Sequence, residues 1–426
     1  MKYALAACLL IAALPMGAQT IGNDNSCDIS VAPAATLLLP YFEADLDGDV
    51  FHAINTVFAI TNVSPVTQIA RVTLWTDLGY PVVTFNLILT GYDVQSINLR
   101  ELLTKGVIGA PRGYFAGPYG SRSIRRNPKH GADDRADCFF LPTSIPQSLL
   151  ADVRAALTGN DGLCRPEAIR GEHLNAIGYA TIDVVATCAN RFPNEAAYYT
   201  TDLLFDNVLI GDWTIVNPNP ALGNYAGGSP LVHIRAIPEG FLAGDPAWTN
   251  LPHTFYESFT PANTPHIDRR QPLPSTFAAR YIEGGISGFV TDFFVWRQSP
   301  TGGAVCDAYY FDPLQVDEVV KFDERENPFI IRKGNNFPGP EPHVRLPLTS
   351  RTKSWWTGYP QVNTGDIGGW MYFNLASPKM TQAWVVSLFH AEGRYAFATD
   401  AAALGNGCSP PVQERATIGP AGNGTP

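Results

Sequence analysis

The densest group of potential metal ligands in this sequence is an acidic turn near its start. Asp45, Asp47 and Asp49 alternate around Gly48. Calcium binds several oxygen atoms that converge on a tight turn, so these carboxylates form a candidate calcium site. The EF-hand loop does not fit, because its glycine position falls on Val50 when Asp45 opens the loop. We therefore favour an ordinary acidic hairpin turn, and calcium is the one cofactor that the sequence suggests.

Three aromatic residues in a predicted loop form a second candidate site. Trp355, Trp356 and Tyr359 stand beside Gly358 and Pro360, which favour a turn over a strand. Aromatic rings on a loop stack on sugars or bind a protein partner, because they bury a large area at little entropic cost. The alternative is that the indoles close the end of a β-sandwich, and the sequence favours this alternative.

Motifs for metal-dependent or nucleophilic catalysis are absent from the sequence. The eight histidines are scattered, and no two have the spacing of a zinc-binding helix. The chain contains no Gly-x-Ser-x-Gly elbow, no Cys-x-x-Cys pair and no phosphate-binding glycine loop. Glycoside hydrolysis needs two carboxyl groups, and several acidic residues offer such pairs: Asp183, Asp212, Glu239, Asp292 and Asp317. The sequence does not show which of them meet, so it identifies no catalytic residue.

The N-terminus has the form of a secretory signal peptide covering residues 1–18. Lys2 precedes an apolar run from Ala4 to Leu14, and small residues then lead to Gln19. The run is too short for a retained membrane span. Cys8 lies in a lipoprotein-like box, but cleavage there would leave too short an apolar segment for export. We therefore expect an unlipidated secreted protein, either periplasmic or extracellular.

Six cysteines remain after the signal peptide, and an even number suits an oxidising compartment. We predict three disulfides, in descending order of preference: Cys138–Cys164, Cys27–Cys408 and Cys188–Cys306. The first pair brackets a predicted helix, the second flanks the folded body, and the third follows by elimination. Because six cysteines allow fifteen pairings, the connectivity stays open.

Composition indicates a globular, strand-rich and acidic protein. Hydrophobic residues make up 45% of the chain and charged residues 16%, and the 38 glycines and 35 prolines predict many turns. The formal net charge of -10 argues against nucleic acid or anionic lipid as a partner. After the signal peptide no apolar run is long enough for a transmembrane helix.

Hydrophobic periodicity predicts a mainly β fold. Val83, Phe85, Leu87 and Leu89 share one face of a half-buried strand, and neighbouring runs at similar spacing predict an immunoglobulin-like sandwich. We expect two or more such antiparallel sandwich domains. The predicted organisation is a signal peptide at 1–18, an N-terminal sandwich part at 27–105, an insertion at 106–170, a C-terminal β-rich region at 171–408 and a disordered tail at 409–426.

The insertion is predicted to contain one helix, from Pro146 to Thr158. Apolar residues recur there at helical spacing, and Gly159 suits a C-terminal stop. Ser144 and Gln147 have the spacing of a capping box, which marks a helix N-terminus.

Several phrases of the sequence are similar to those of a known group of proteins: Ala34–Glu43, Ala70–Asp77, Leu89–Gln95, Thr291–Arg297, Phe322–Pro328 and Gln382–Val385. Between Cys27 and Leu404 the chain resembles a group of secreted bacterial β-rich proteins with no known activity. The resemblance implies export and a β-rich fold, and it implies no ligand, cofactor or catalytic residue.

Two functions remain open from the sequence. The first is an exported, non-catalytic β-sandwich protein that acts in binding, adhesion or surface structure, with a glycan or a protein surface as partner. The alternative is a secreted polysaccharide hydrolase with paired carboxylates, for which Trp355, Trp356 and Tyr359 would form a sugar platform. A deep cleft with two carboxyl groups would favour the hydrolase, whereas exposed aromatic rings on a shallow surface would favour binding.

Overall fold

The protein is mainly β, as the sequence predicts, and its strands pair antiparallel in four sheets. The structure is a computed structural model. It describes residues 31–108, 144–159, 173–219, 225–236, 268–286, 288–298, 319–330, 349–352, 368–375, 382–391 and 395–404.

The N-terminal half of the described chain holds nine strands, two α-helices and one π-helical turn. Its strands are β1 Thr36–Ala44, β2 Asn55–Asn62, β3 Gln68–Thr76, β4 Pro81–Leu89, β5 Val94–Asn98, β6 Ala176–Val185, β7 Leu209–Asn217, β8 Tyr225–Pro230 and β9 Val232–Ile234. The helices are α1 Leu99–Lys105 and α2 Gln147–Leu157, and the π-helical turn is Tyr198–Asp202.

The C-terminal half holds nine further strands among the described residues. They are β10 Thr276–Ile282, β11 Phe289–Arg297, β12 Val319–Asp323, β13 Pro328–Ile330, β14 Thr349–Thr352, β15 Gly368–Asn374, β16 Ala383–Ala391, β17 Tyr395–Asp400 and β18 Ala402–Ala403.

Each half contributes one five-stranded and one four-stranded sheet. In the N-terminal half the strand orders are β4-β3-β6-β1-β9 and β5-β2-β7-β8. In the C-terminal half they are β13-β12-β15-β10-β18 and β14-β11-β16-β17. Strands β6 to β9 follow the predicted insertion, yet they complete the sheets that β1 to β5 begin. The predicted part 27–105 therefore does not contain all the strands of its own sheets.

The main hydrophobic cluster of the described residues runs through both halves. Phe294 of β11 stacks on Tyr41 at 4.6 Å between ring centroids and meets Trp213 edge-on at 5.6 Å. Trp296, two residues further along the same face of β11, meets Tyr179 edge-on at 6.0 Å. These rings are buried, so β11 packs the C-terminal half against the sheets of the N-terminal half.

The sequence analysis did not identify helix α1, which lies just before the predicted insertion. Helix α1 begins at Leu99, directly after the last residue of β5. Asn98 caps the helix, because its side chain accepts a hydrogen bond from the backbone N–H of Glu101. Gly106 ends it with a positive φ of 77°, which glycine adopts without steric cost. The three leucines of α1 are buried in the core.

Helix α2 lies where the sequence predicts it, but its N-terminus differs from the prediction. The N-cap residue is Pro146, and no side chain caps the helix. The expected capping box of Ser144 and Gln147 is absent, because Ser144 instead forms an isolated β-bridge with Val107. Gly159 has a positive φ of 68°, as expected for a helix stop. In the part of the chain that is described, neither helix has the length and apolar character needed to cross a membrane.

Candidate functional site

A pair of carboxylates meets on one arginine between the two halves. Arg351 of β14 binds Glu43 of β1 at 3.2 Å and Asp292 of β11 at 2.5 Å. Glu43 also accepts hydrogen bonds from Tyr41 Oη at 3.0 Å and from Asn175 Nδ2 at 2.7 Å. The acidic residues of this pair are thus held by several donors each, which is the pattern of a structural ion-pair network.

The environment of Asp292 keeps its carboxylate ionised. Burial would raise the pKa of Asp292, but the contact with His390 and the charge of Arg351 lower it below its ordinary value. Nε2 of His390 lies 3.3 Å from the Asp292 carboxylate. A glycosidase general acid needs a raised pKa. Asp292 has the opposite shift, and Glu43 is itself paired with Arg351, so this pair lacks the electrostatics of a catalytic dyad.

A second polar group forms a row across the five-stranded sheet of the N-terminal half. Asn86, Arg71, Asp183 and Thr36 are register partners on β4, β3, β6 and β1. All four are buried. Arg71 Nε donates to Asn86 Oδ1 at 3.0 Å, and Thr36 Oγ1 donates to Asp183 Oδ1 at 2.5 Å. Charged groups without water must be paired, and further partners approach from the segment that covers this row.

The π-helical turn supplies the partner of Arg71. Asp202, its last residue, binds Arg71 at 2.6 Å and Arg191 at 2.5 Å. Thr187 Oγ1 also donates to Asp202 at 2.9 Å. The ring of Tyr198, the first residue of the turn, lies under the Arg71 guanidinium at 5.6 Å. The turn therefore closes the charged row on the side away from the sheet.

Asp183 is neutralised by Arg270, which comes from a different segment of the chain than the π-helical turn. Arg270 binds Asp183 at 3.0 Å and Asp268 at 2.8 Å, and Tyr198 donates a short hydrogen bond to Asp183. Burial alone would lower the pKa of Arg270, but the two carboxylates raise it well above its ordinary value. Burial and then the charge of Asp183 raise the pKa of Tyr198, so its hydroxyl remains a donor. We call Arg71, Asp183, Asp202 and Arg270 the buried ionic network.

The acidic residues considered from the sequence as hydrolase pairs do not meet one another where the structure describes them. Asp183 belongs to the buried ionic network and Asp292 to the cluster on Arg351. Asp212 is exposed on β7. Glu239 and Asp317 lie outside the described residues. Glu43, the carboxylate that does share a partner with Asp292, was not identified from the sequence, because the two lie far apart along the chain.

The acidic turn uses its carboxylates for its own backbone. Oδ1 of Asp45 accepts the N–H groups of Asp47 at 3.0 Å and Gly48 at 2.8 Å. Oδ1 of Asp49 accepts the N–H of Phe51 at 3.3 Å. Within the described residues no three His, Cys, Asp or Glu side chains gather as metal ligands. These carboxylates thus stabilise a turn that links β1 to β2. It is not the hairpin turn that the sequence analysis favoured, because β1 and β2 belong to different sheets. Calcium binding by these residues stays a prediction without structural support.

The predicted aromatic loop and most of the cysteines lie outside the described residues. This holds for Trp355, Trp356 and Tyr359. It also holds for five of the six cysteines that follow residue 18: Cys27, Cys138, Cys164, Cys306 and Cys408. Cys188 lies buried after β6 and is disulfide-bonded, and its partner is among the cysteines outside the described residues. The three predicted pairings, including Cys188–Cys306, therefore stay predictions.

An exposed aromatic surface lies on the five-stranded sheet of the C-terminal half. Along β15, Met371 and Phe373 point into the core with no exposed area, whereas Trp370 is 40% exposed and Tyr372 is half-buried. The alternation places both rings on the outer face of the sheet. Trp370 is one of the largest exposed apolar side chains in the described part of the chain.

One charged and one aromatic residue flank Trp370 on this surface. Arg280 of β10 and Phe322 of β12 are its register partners on the two neighbouring strands. The Arg280 guanidinium lies 5.2 Å from the centre of the Trp370 ring and binds the carboxylate of Glu324. We call Arg280, Trp370, Phe322 and Glu324 the aromatic face. It combines a partly exposed indole with charged groups of both signs.

The sequence analysis did not identify Trp370 as an exposed residue. Trp370, Met371, Tyr372 and Phe373 are consecutive apolar or aromatic residues, so period-two alternation of polarity gives no signal for which face is buried. The neighbouring Arg280 would have been the useful signal, because an arginine opposite the tryptophan marks the solvent side of the sheet. That pairing is set by the tertiary fold and not by local sequence.

A comparison with protein-family models, with curated proteins and with solved structures finds no match for this chain.

Proposed function

We propose that this protein is exported and acts by binding a glycan, without catalysing a reaction. The observation that carries the proposal is the aromatic face, where Trp370 is exposed beside Arg280 and Glu324. The export part rests on the signal-peptide pattern and on the even number of mature cysteines, which suit an oxidising compartment. We also propose that the two sheets of each half form an immunoglobulin-like sandwich.

The chemistry of the aromatic face suits a sugar. The apolar face of a pyranose ring packs on an indole, while its hydroxyl groups need donors and acceptors around the ring. Arg280 offers donors and Glu324 offers acceptors next to Trp370. Strands lie about 4.8 Å apart, so the row from Arg280 through Trp370 to Phe322 spans roughly 10 Å, about the length of a disaccharide.

The alternative, a polysaccharide hydrolase, has less support. Its strongest candidate is the carboxylate pair of Glu43 and Asp292, which is bound to Arg351. Both carboxylates already have cationic partners, and the lowered pKa of Asp292 opposes a role as general acid. Binding needs no such group, and the aromatic face already presents what binding requires.

The predicted aromatic loop is proposed as a second part of the same binding surface. Trp355, Trp356 and Tyr359 lie in the sequence between β14 and β15, and β15 carries Trp370. The double variant W355A/W356A tests this part separately from Trp370.

The mature protein is first applied to a glycan array, and the best ligand is then titrated calorimetrically. We expect Trp370→Ala to lower its affinity at least tenfold while the protein stays folded, since stacking on a large ring dominates such contacts. Phe51→Ala is the matched control, because Phe51 is 76% exposed at the acidic turn, outside the aromatic face. If the unchanged protein and W370A bind the glycan with equal affinity, the aromatic face is not the binding site. Release of sugar from the bound polysaccharide would instead favour the hydrolase.

A further inference from the structure

A cavity lies in the N-terminal half between helix α2 and the edge strand β4. Its volume is about 350 Å³. The residues that line it come from α2, from β4 and the residue before it, and from the loop after β6: Tyr80, Pro81, Val82, Val83, Thr84, Leu149, Asp152, Val153, Ala156, Asn190 and Phe192. This volume lies at the small end of the range for sites that bind small molecules.

A helix and the edge of a sheet form the walls of the cavity, so regular secondary structure determines its shape. Leu149, Asp152, Val153 and Ala156 have the i, i+3, i+4, i+7 spacing of one helical stripe. Five successive residues of the opposite wall, from Tyr80 to Thr84, come from both faces of β4 and the residue before it. Successive residues of a strand point to opposite faces of the sheet, so they can line one cavity only where it passes the edge of the strand. Strand β4 is the outer strand of its sheet in the described chain. The cavity therefore wraps around that edge.

The lining has one charge and two aromatic rings. Among the described residues that line the cavity, Asp152 is the only charged one, and it is exposed. Within the described chain it forms neither an ion pair nor a hydrogen bond, unlike Asp183, Asp202 and Asp292. Tyr80 and Phe192 supply rings, which attract cations over their faces. Most of the remaining lining is aliphatic.

A hydrogen-bonded chain fixes the wall opposite the helix. Asn86 Nδ2 donates to Asn190 Oδ1 at 3.0 Å, and Arg71 Nε donates to Asn86 Oδ1 at 3.0 Å. Arg71 is in turn paired with Asp202 in the buried ionic network. The side chain of Asn190 is thereby held in place on the cavity wall, so the site is largely formed before a ligand arrives. Preformed sites lose less entropy on binding.

We propose that this cavity binds a small organic cation with an apolar body and an ammonium group. The aliphatic lining and the ring of Phe192 receive the apolar body, and the carboxylate of Asp152 pairs with the ammonium. Neutral molecules of the same shape lack the ion pair, and anions are repelled by Asp152 and by the net charge of the protein. This proposal is independent of the glycan proposal, because the cavity and the aromatic face lie on different halves.

The test uses three probes of similar shape, titrated calorimetrically into the full mature protein at low salt. They are 2-phenylethylammonium, the neutral 2-phenylethanol and the anionic phenylacetate. We expect the cation to bind at least fivefold more tightly than the alcohol and the anion to show no binding. Raising the salt to about 0.5 M should weaken binding of the cation, because the charge of Asp152 is exposed to solvent. Equal affinity for cation and alcohol, or no binding of any probe, would overturn the proposal.

Variants then locate the binding. Asp152→Asn should weaken binding of 2-phenylethylammonium about three- to tenfold, whereas Asp212→Asn, a matched change at an exposed carboxylate on β7, should have no effect. Leu149→Trp should abolish binding by filling the cavity, and Leu149 is 42% exposed, so this change leaves the core intact. Trp370→Ala should bind the cation normally. Unchanged binding in both D152N and L149W would place the probe elsewhere and contradict the assignment.

Discussion

The two five-stranded sheets each carry a row of polar and aromatic residues across their strands, but the rows have opposite environments. In the N-terminal half the row holds Arg71 and Asp183, and the guanidinium of Arg71 lies 5.6 Å from the ring centre of Tyr198. In the C-terminal half Arg280 lies 5.2 Å from the ring centre of Trp370. The first row is covered by the π-helical turn, whereas Trp370 and Arg280 reach solvent.

The difference shows how burial decides what an arginine beside an aromatic ring contributes. In the covered row water cannot solvate the guanidinium, so every charge needs a partner, and loss of one partner leaves a buried charge. In the open row water already solvates Arg280, and its ion pair with Glu324 adds little to folding. The same residue types are therefore desolvated in the first half, whereas in the second half they stay in contact with water.

The largest expected effect is the loss of Asp202. Asp202→Asn removes the charge that neutralises Arg71, which has no exposed side-chain area, and it also weakens the pair with Arg191. We expect a loss of about 3–5 kcal/mol in the free energy of unfolding and a Tm lower by roughly 5 °C. Differential scanning calorimetry measures both quantities.

The control for this prediction is Asp212→Asn on the exposed surface of β7. Surface changes of this kind alter stability by no more than about 0.5 kcal/mol. If D202N melts at the same temperature as D212N, the buried ionic network does not stabilise the fold, and the contrast between the two rows is lost.

The cluster on Arg351 lies between the two rows in burial and gives an intermediate effect that depends on pH. The Arg351 side chain is 14% exposed and keeps Glu43 as a partner, so Asp292→Asn should cost about 2 kcal/mol at pH 7. The pKa of Asp292 is lower in the folded state than its ordinary value of 3.8. Its stabilising contribution is therefore complete above that value and is lost as the pH falls further, through the folded pKa.

The pH dependence is measured as the difference in stability between the protein and D292N. Urea unfolding at pH 7, 5 and 3 should give a difference that is constant between the first two and smaller at the third. A difference that stays constant down to pH 3, or that grows, contradicts the ion pair between Asp292 and Arg351.

Local pattern predicted much of this fold, because strands such as β3 and β4 and the helix α2 follow from periodicity and turn residues. Local pattern did not predict the two rows of side chains that cross the five-stranded sheets. Arg71 and Asp183 become register partners only when β3 pairs with β6, which comes from the far side of the predicted insertion. Trp370 is exposed only because β15 lies between β10 and β12, and its own neighbours in sequence are aromatic or apolar on both sides. Long-range pairing, not propensity, sets both environments.

The smallest expected effect on folding is at the aromatic face. It tests directly whether the exposed row contributes less to stability than the buried row. Glu324→Gln removes one charge from a pair in which both side chains are 41% exposed. Exposed pairs contribute about 0.5 kcal/mol or less, so Tm should fall by no more than roughly 2 °C. Binding of the glycan found on the array should weaken severalfold, since Glu324 then accepts hydrogen bonds less strongly. Calorimetry gives both numbers on one sample. A large fall in Tm would mean that the aromatic face is a structural network like the buried one, because only a desolvated charge loses that much stability when its partner is removed.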